Sequence, residues 1–458
     1  MTTIRKLAVQ LSAGEISARQ LVDQSLDRIS DPAGEGGRAF LSVAADKARL
    51  TADTYDTLRR NGGVVPPFAG IPVAIKDLCD IEGQVTTAGS VILADQPAAP
   101  VDAPVVARLR AAGFIPIGRT NMTEFAYSGL GLNAHYDTPR SPWDRTTGRI
   151  PGGSSSGTAV AVGDEMVVAG LGTDTGGSCR IPAAFCGIVG YKPTASRIPL
   201  DGIVPLSASL DSVGPLASSV DCCAIVDAVF AGEPVPQPGA ADVPAGRPAD
   251  RIRLAVLTDH VLDDIDQVVA DGFNAALSHL SAAGVGVVEV SFPEWLDLPD
   301  INRTGGLATA EAYHWHRSLL ATKGDGYDQR VRRRIEPGAK ISAADYLDVV
   351  AARVQMIERA RITLAGFDAF VLPSVAVVAP TVASFESGDP DYYSKMNLLC
   401  LRNTSVGNFL DACAISVPAS RAGEPPVSLM LMAGPGADHQ LFSLARTVES
   451  LLLTARGG

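Results

Sequence analysis

Apolar residues recur along this chain in two alternating rhythms. Stretches at helical spacing, about 3.6 residues per turn, are separated by short continuous apolar runs closed by Gly or Pro. Helices packed on strands covered on both faces produce that pattern. Residues 3–11 and 17–29 read as two short amphipathic helices. In the second, Leu21, Val22, Leu26 and Ile29 share a face, and Ser17 with Gln20 three residues on forms a capping box. A polar, Gly-rich break at 31–37 precedes another helical stretch at 41–60. The run FAGIPVAI at 68–75 predicts a buried strand with Lys76 at its end, where α/β sheets present ligands. Helix 102–112 and apolar 114–117 continue a β-α-β rhythm. Residues 119–150 are a loop-rich approach to a Gly/Ser-rich segment at 152–187, and Met122, Phe125 and Tyr127 in that approach are candidates for an apolar pocket wall.

Beyond residue 187 the same alternation holds. Strands are expected at 188–191 and 200–204 and a helix at 219–231. The Pro/Gly/Ala-rich segment 232–250 is the best candidate boundary. A second β-α-β unit spans 252–257, 263–283 and 285–292. Helices are expected at 308–321 and 342–364, the latter capped by Ser342, then strands at 367–372, 414–417 and 427–433 and a helix at 438–454. No tandem repeat is apparent. The whole predicts an α/β layered fold with a mixed sheet.

Composition narrows the function classes. Apolar residues make up 46% of the 458 and charged residues 19%, enough for a large core. A net charge of −12 argues against nucleic acid as a partner, since phosphate binding needs clustered cations. Seven cysteines at irregular spacing with no CxxC pair, and six histidines with no HxxxH pair, point to reduced buried thiols and no metal site. The N-terminus lacks a signal-peptide-like apolar run, and no run of about 18 apolar residues occurs. A cytoplasmic protein without a membrane span is the expectation.

The candidate chemistry concentrates at 152–187, GGSSSGTAVAVGDEMVVAGLGTDTGGSCRIPAAFCG. Two Gly-Gly-Ser turns, at 152–154 and 176–178, offer Ser154 and Ser178 at their rims, where backbone N–H groups can crowd around one point. Residues 153–157 also match the G-x-S-x-G elbow of α/β-hydrolases, which would make Ser155 the nucleophile of an esterase-type site. That pattern is weak in a Gly/Ser-rich stretch, and His439 is only a nominal downstream partner. A Ser-x-x-Lys site is excluded, because no lysine has serine three residues before it.

The chain resembles the amidase signature family, hydrolases of carboxamides. The resemblance is carried by the 152–187 block, GIPVAIKD at 70–77, IVGYKPT at 188–194, SLDSVGPLASSV at 209–220 and, less tightly, SVGNFLDACAISVPAS at 405–420. It covers nearly the whole chain. It implies one domain over 1–458 with an α/β/α layered fold around a large mixed β-sheet. Within it lie a helical N-terminal cover (about 1–65), a signature core (about 66–231), the connector (232–250) and a C-terminal α/β part (251–458).

The family's Ser–cis-Ser–Lys set maps onto Lys76 as base, Ser154 after a cis peptide as relay, and Ser178 as nucleophile. The N–H groups of Thr175, Gly176, Gly177 and Ser178 match its oxyanion hole. The first turn departs from the common GGSSGG in carrying Ser156. The resemblance implies a small carboxamide substrate cleaved through a seryl acyl-enzyme to carboxylate plus ammonia or amine, with no cofactor. Pocket loops setting its choice are expected at 122–136, 300–340 and 385–405. The alternative is the glutaminase subunit of a tRNA-dependent amidotransferase, which resembles GGSIRQPA after the nucleophile. Ile181 in place of that Gln favours a stand-alone amidase. A homodimer is the expected assembly, dimers being commonest among soluble enzymes.

Overall fold

A computed structural model describes residues 2–235, 246–421 and 423–456. Its eleven strands are β1 (Phe40–Val43), β2 (Pro72–Lys76), β3 (Ile115–Thr120), β4 (Ala169–Thr173), β5 (Val189–Lys192), β6 (Val213–Ala217), β7 (Arg253–Leu257), β8 (Gly286–Val290), β9 (Ala369–Pro373), β10 (Cys413–Pro418) and β11 (Ser428–Ala433). They form one mixed sheet in the order β1-β3-β2-β4-β6-β5-β10-β11-β9-β7-β8. Neighbours run parallel in β3-β2-β4 and β9-β7-β8, and antiparallel elsewhere. Strands β2, β4, β5, β6, β9, β10 and β11 are buried at every residue, which explains their unbroken apolar runs. The edge strand β8 is partly exposed.

Local signals explain the helix ends. Ser17 and Gln20 form the expected reciprocal cap, with Gln20 N–H on Ser17 Oγ at 3.0 Å and Ser17 N–H on Gln20 Oε1 at 2.9 Å. Ser342 caps Ala343–Thr363 with Asp345 as its reciprocal partner. The connector expected at 232–250 falls largely on 236–245, outside the described residues. Among the described residues no helix is long and apolar enough to cross a membrane.

Three expectations need correction. Residues 41–43 are not helical: Phe40–Val43 pairs with β3, and the helix starts only at Ala45. Residues 200–204 make a single bridge, Ile203 to Cys79, because Pro199 and Pro205 on either side deny a ladder its donors. The strand in this region is β6, which pairs with β5 only through Leu216 and Ala217, stopping at Pro215. Residues 385–405 are largely the helix Pro390–Phe409, with Asp389 as N-cap and Pro390 in its first turn.

Candidate active site

Strands β2 and β4 lie side by side and parallel, Ala74 opposite Gly170 and Ile75 opposite Leu171. Their carboxyl ends therefore emerge together, and there Lys76 and Thr173 close the two strands. Lys76 is fully buried. Its Nζ donates to Ser154 Oγ at 2.7 Å and to Thr173 Oγ1 at 2.8 Å. Burial disfavours the ammonium and draws Lys76 from 10.5 down to about 8, against the opposing pull of nearby acidic groups that include Asp174 and Asp211. Lys192 is buried and drawn down to about 8 for the same reason. Its Nζ, however, meets the carbonyls of Pro193 at 2.7 Å and Ala412 at 2.9 Å, which have no proton to surrender. Of these two lysines, only Lys76 faces hydroxyls.

The first Gly-Gly-Ser turn delivers Ser154. The Gly153–Ser154 peptide is cis. Its flanks are pinned by Gly153 N–H on Gly129 O at 2.8 Å and Thr123 N–H on Ser154 O at 3.1 Å. Ser155 is placed differently. Its Oγ lies 3.4 Å from both the N and the O of Thr173, and its N–H donates to Ser178 O at 3.3 Å. It ties the two turns together inside the wall, where an exposed nucleophile elbow cannot form. Ser156 is accommodated by a bond from its Oγ to Asn121 O at 3.4 Å.

The second turn follows β4 directly. Asp174 accepts from Arg180 Nη2 at 2.8 Å and Nε at 3.0 Å, from Asn408 Nδ2 at 2.9 Å and from Cys179 N–H at 3.1 Å. Burial would raise its carboxyl, but the Arg180 guanidinium overrides this and holds it at about 2. This pair buttresses the turn, so Arg180 is occupied structurally. Gly177 has φ +136°, and a Cβ there would fall 2.1 Å from Thr404 Oγ1, so glycine is required. Thr404 Oγ1 in turn donates to Gly176 O at 2.7 Å. Among the described residues, the N–H groups of Thr175, Gly176, Gly177 and Ser178 form no hydrogen bond. Cys179, next to Ser178, is buried with its Sγ toward Gly214 O at 3.6 Å, and burial pushes its thiol up, so it stays protonated.

Ser178, Thr175 and Gly176 line a cavity of about 250 Å³, room for a small molecule. Tyr127, Ser128, Leu206 and Leu210 line it too, and the helix Pro390–Phe409 supplies Leu401 and Asn408. Of the three candidate wall residues only Tyr127 lines this cavity. Phe125 and Ala126 have φ of 50° and 59°, and this reversal turns Phe125 into a cluster with His316, Tyr327 and Trp315. Met122 is likewise buried, its Cγ against Gly89.

Three residues around the site are not evident from the sequence. Thr173 shares Lys76 with Ser154; its signal is its position at a strand end just before Asp174. Asp211 accepts from Thr175 Oγ1 at 2.5 Å. Arg334, in an Arg332–Arg334 run that reads as a solvated face, lines the cavity with its guanidinium 4.5 Å over the Tyr127 ring. Its Nη1 is buried without a hydrogen-bond partner, and it is the only charged side chain among the described lining residues. Helical spacing is the available signal: Val331 and Ile335 are buried, and position 334 lies on their side of the turn.

Comparison with known proteins identifies the family and the fold. The amidase family profile matches residues 20–442. The chain is 36% identical over 415 residues to the 2-amino-5-chloromuconic acid deaminase of Comamonas testosteroni, covering 90% of this chain and 88% of that one. It is 34% identical over 473 residues to a subunit of the glutamyl-tRNA(Gln) amidotransferase of Chromohalobacter salexigens, covering 98% and 96%. A crystal structure of an amidase superposes with a TM-score of 0.86 at 29% identity, covering 99% of this chain and all of that one.

Proposed function

The chain belongs to the amidase family, and on that premise we propose that it hydrolyses a small carboxamide through a seryl acyl-enzyme. The observation that carries this is the contact of buried Lys76 with Ser154, beside a cavity lined by Ser178. An amide is a poor electrophile and a serine hydroxyl a weak nucleophile, so a base must take the proton as attack begins. Neutral Lys76 takes the Ser154 proton while Ser154 takes that of Ser178, and Ser178 Oγ adds to the amide carbon. The N–H groups at 175–178 meet the oxyanion; one such donor is typically worth about 3 kcal/mol. Collapse expels ammonia or amine, which receives the proton back through Ser154. Water then releases the carboxylate by the same relay.

Arg334 favours a substrate that carries a carboxylate as well as the amide. An unpaired guanidinium among neutral walls is costly until an anion meets it. The Comamonas relative is named for a carboxylic acid that it deaminates, which supports the carboxylate part of this reading and not the amide part. The test is turnover by the purified chain alone of neutral aliphatic, aryl and carboxylate-bearing amides, with ammonia or amine release as readout. Release that is fastest for the carboxylate-bearing set and lost in Ser178→Ala is the expected result. The likeness to amidotransferase subunits keeps a second reading open. Glutamine hydrolysis that appears only when partner subunits are added would favour it.

A further inference from the structure

The turn that carries Ser178 is anchored from one side by a carboxylate outside the Lys76–Ser154–Ser178 set. Asp211 is buried, and its two oxygens serve different partners. Oδ1 accepts from Thr175 Oγ1 at 2.5 Å, while Oδ2 accepts from the N–H groups of Leu206 at 2.9 Å and Ser207 at 3.0 Å. Asp211 thus links the turn bearing Thr175 to the loop 206–211, which contributes Leu206 and Leu210 to the cavity wall. That loop is itself clamped by Glu311, which accepts from Ser207 Oγ at 2.6 Å, Ser209 N–H at 3.0 Å and Tyr346 Oη at 2.7 Å.

We infer that Asp211 is a positioning residue for hydrolysis: through Thr175 it holds the N–H groups at 175–178 where the oxyanion forms. The inference rests on the catalytic reading above. A carboxylate suits this task because it accepts from all three donors at once. Protonated, it presents a hydrogen on one oxygen, so the Thr175 bond must reverse or a loop N–H lose its acceptor, and the bonds that remain lose the strength the charge gave them. Donors of an oxyanion hole act only within a few tenths of an ångström of their place, so a Thr175 held less tightly costs rate and leaves ground-state binding nearly intact.

The charged groups around Asp211 are Lys76 at the end of β2, Glu311 on the helix Gly306–Lys323, and the Asp174–Arg180 pair. Asp174 is joined to Ser212 by N–H to O bonds of 2.8 and 3.1 Å. Burial, with Glu311 adding to it, pushes Asp211 up to about 6, so its ionisation falls inside an accessible range.

The experiment is a pH profile of kcat and KM between about pH 5 and 9 for the best amide found above, with folding followed by circular dichroism at each pH. In the unaltered protein, log kcat/KM should fall with slope one as Lys76 becomes protonated and steepen to slope two below about 6. Asp211→Asn should lose the second slope and lower kcat by about 10- to 100-fold, with KM within about threefold. Thr175→Val should do the same, while Thr175→Ser, which keeps the hydroxyl, should retain slope two. If Asp211→Asn does not fold, the two Thr175 variants decide. Slope two persisting in folded Asp211→Asn or Thr175→Val, slope one throughout in the unaltered protein, or a change confined to KM would overturn the inference. Absence of amide turnover by the unaltered protein would instead overturn the catalytic reading, and this inference with it.

Discussion

Lys76 Nζ sits 2.7 Å from Ser154 Oγ at the end of a strand in which every residue is buried. The arrangement trades stability for reactivity. Because burial lowers the folded-state value from 10.5 to about 8, the unfolded chain holds more protons between those values, and stability rises with pH across that window. At pH 7 the charged lysine costs the fold about 3 kcal/mol. Lys76→Met removes that cost but leaves the Ser154 and Thr173 hydroxyls each short of a partner, at about 1 kcal/mol apiece. The variant is therefore expected to be about 1 kcal/mol more stable than the unaltered protein at pH 7, an advantage that vanishes as pH rises from 8 toward 10, while turnover falls by several orders of magnitude. Urea unfolding at several pH values checks this. A variant less stable at neutral pH would mean that the buried charge is better compensated than the surrounding carboxylates allow.

Ser155→Ala and Ser178→Ala separate the two serine assignments. Ser155 Oγ is held by the β4 backbone, so its removal should cost about 1 kcal/mol of stability and less than about tenfold in kcat. Ser178→Ala should remove turnover with folding intact. The reverse pattern in steady-state rates would return the nucleophile to the elbow-like position.

Much of this site is legible in the sequence because its residues sit at forced places. Lys76 closes a continuous apolar run, and the two Gly-Gly-Ser turns bracket a helix and a strand of small residues. The elements that the sequence hides depend on partners distant along the chain. Phe40–Val43 is a strand only because the edge of β3 lies open to it. Asp211 gains its meaning from a hydroxyl 36 residues away. Phe125 and Tyr127 look alike in composition, and a local backbone reversal separates core from cavity. The helix Pro390–Phe409 is signalled by its Asp-Pro start, but its polar, weakly periodic body resembles a loop.

The Asp174–Arg180 pair yields a third expectation. Both side chains are fully buried, and Arg180 also donates to Asn408 Oδ1 at 2.7 Å. Arg180→Met strands a buried carboxylate and should destabilise the protein by about 3–5 kcal/mol. Arg180→Lys should recover only part of this, since an ammonium cannot reproduce the planar fork. The double variant Asp174→Asn/Arg180→Met should be more stable than Arg180→Met alone. Equal destabilisation of the single and double variants in urea would show that packing, and not the unpaired charge, sets the cost. Without Arg180, burial pushes the Asp174 carboxyl up, so the penalty of Arg180→Met should shrink as pH falls and the carboxyl takes up a proton, and the difference between the variants should narrow toward acid pH.

Arg334 offers the sharpest control over substrate choice. Its guanidinium is stacked on Tyr127, whose hydroxyl is itself anchored to Thr309 Oγ1 at 2.8 Å, so the cation is held in place before substrate arrives. A charge-assisted hydrogen bond is worth about 1.5–3 kcal/mol, and Arg334→Gln should therefore lower kcat/KM for a carboxylate-bearing amide by about 10- to 100-fold. The same change should leave a neutral amide of similar size within about threefold, because no buried charge of the substrate is then left unpaired. The loss should lie mainly in KM, since the carboxylate is bound equally in the ground and transition states. Equal losses for charged and neutral substrates would assign Arg334 to the architecture of the wall, through its contact with Tyr127, and not to recognition of an anion.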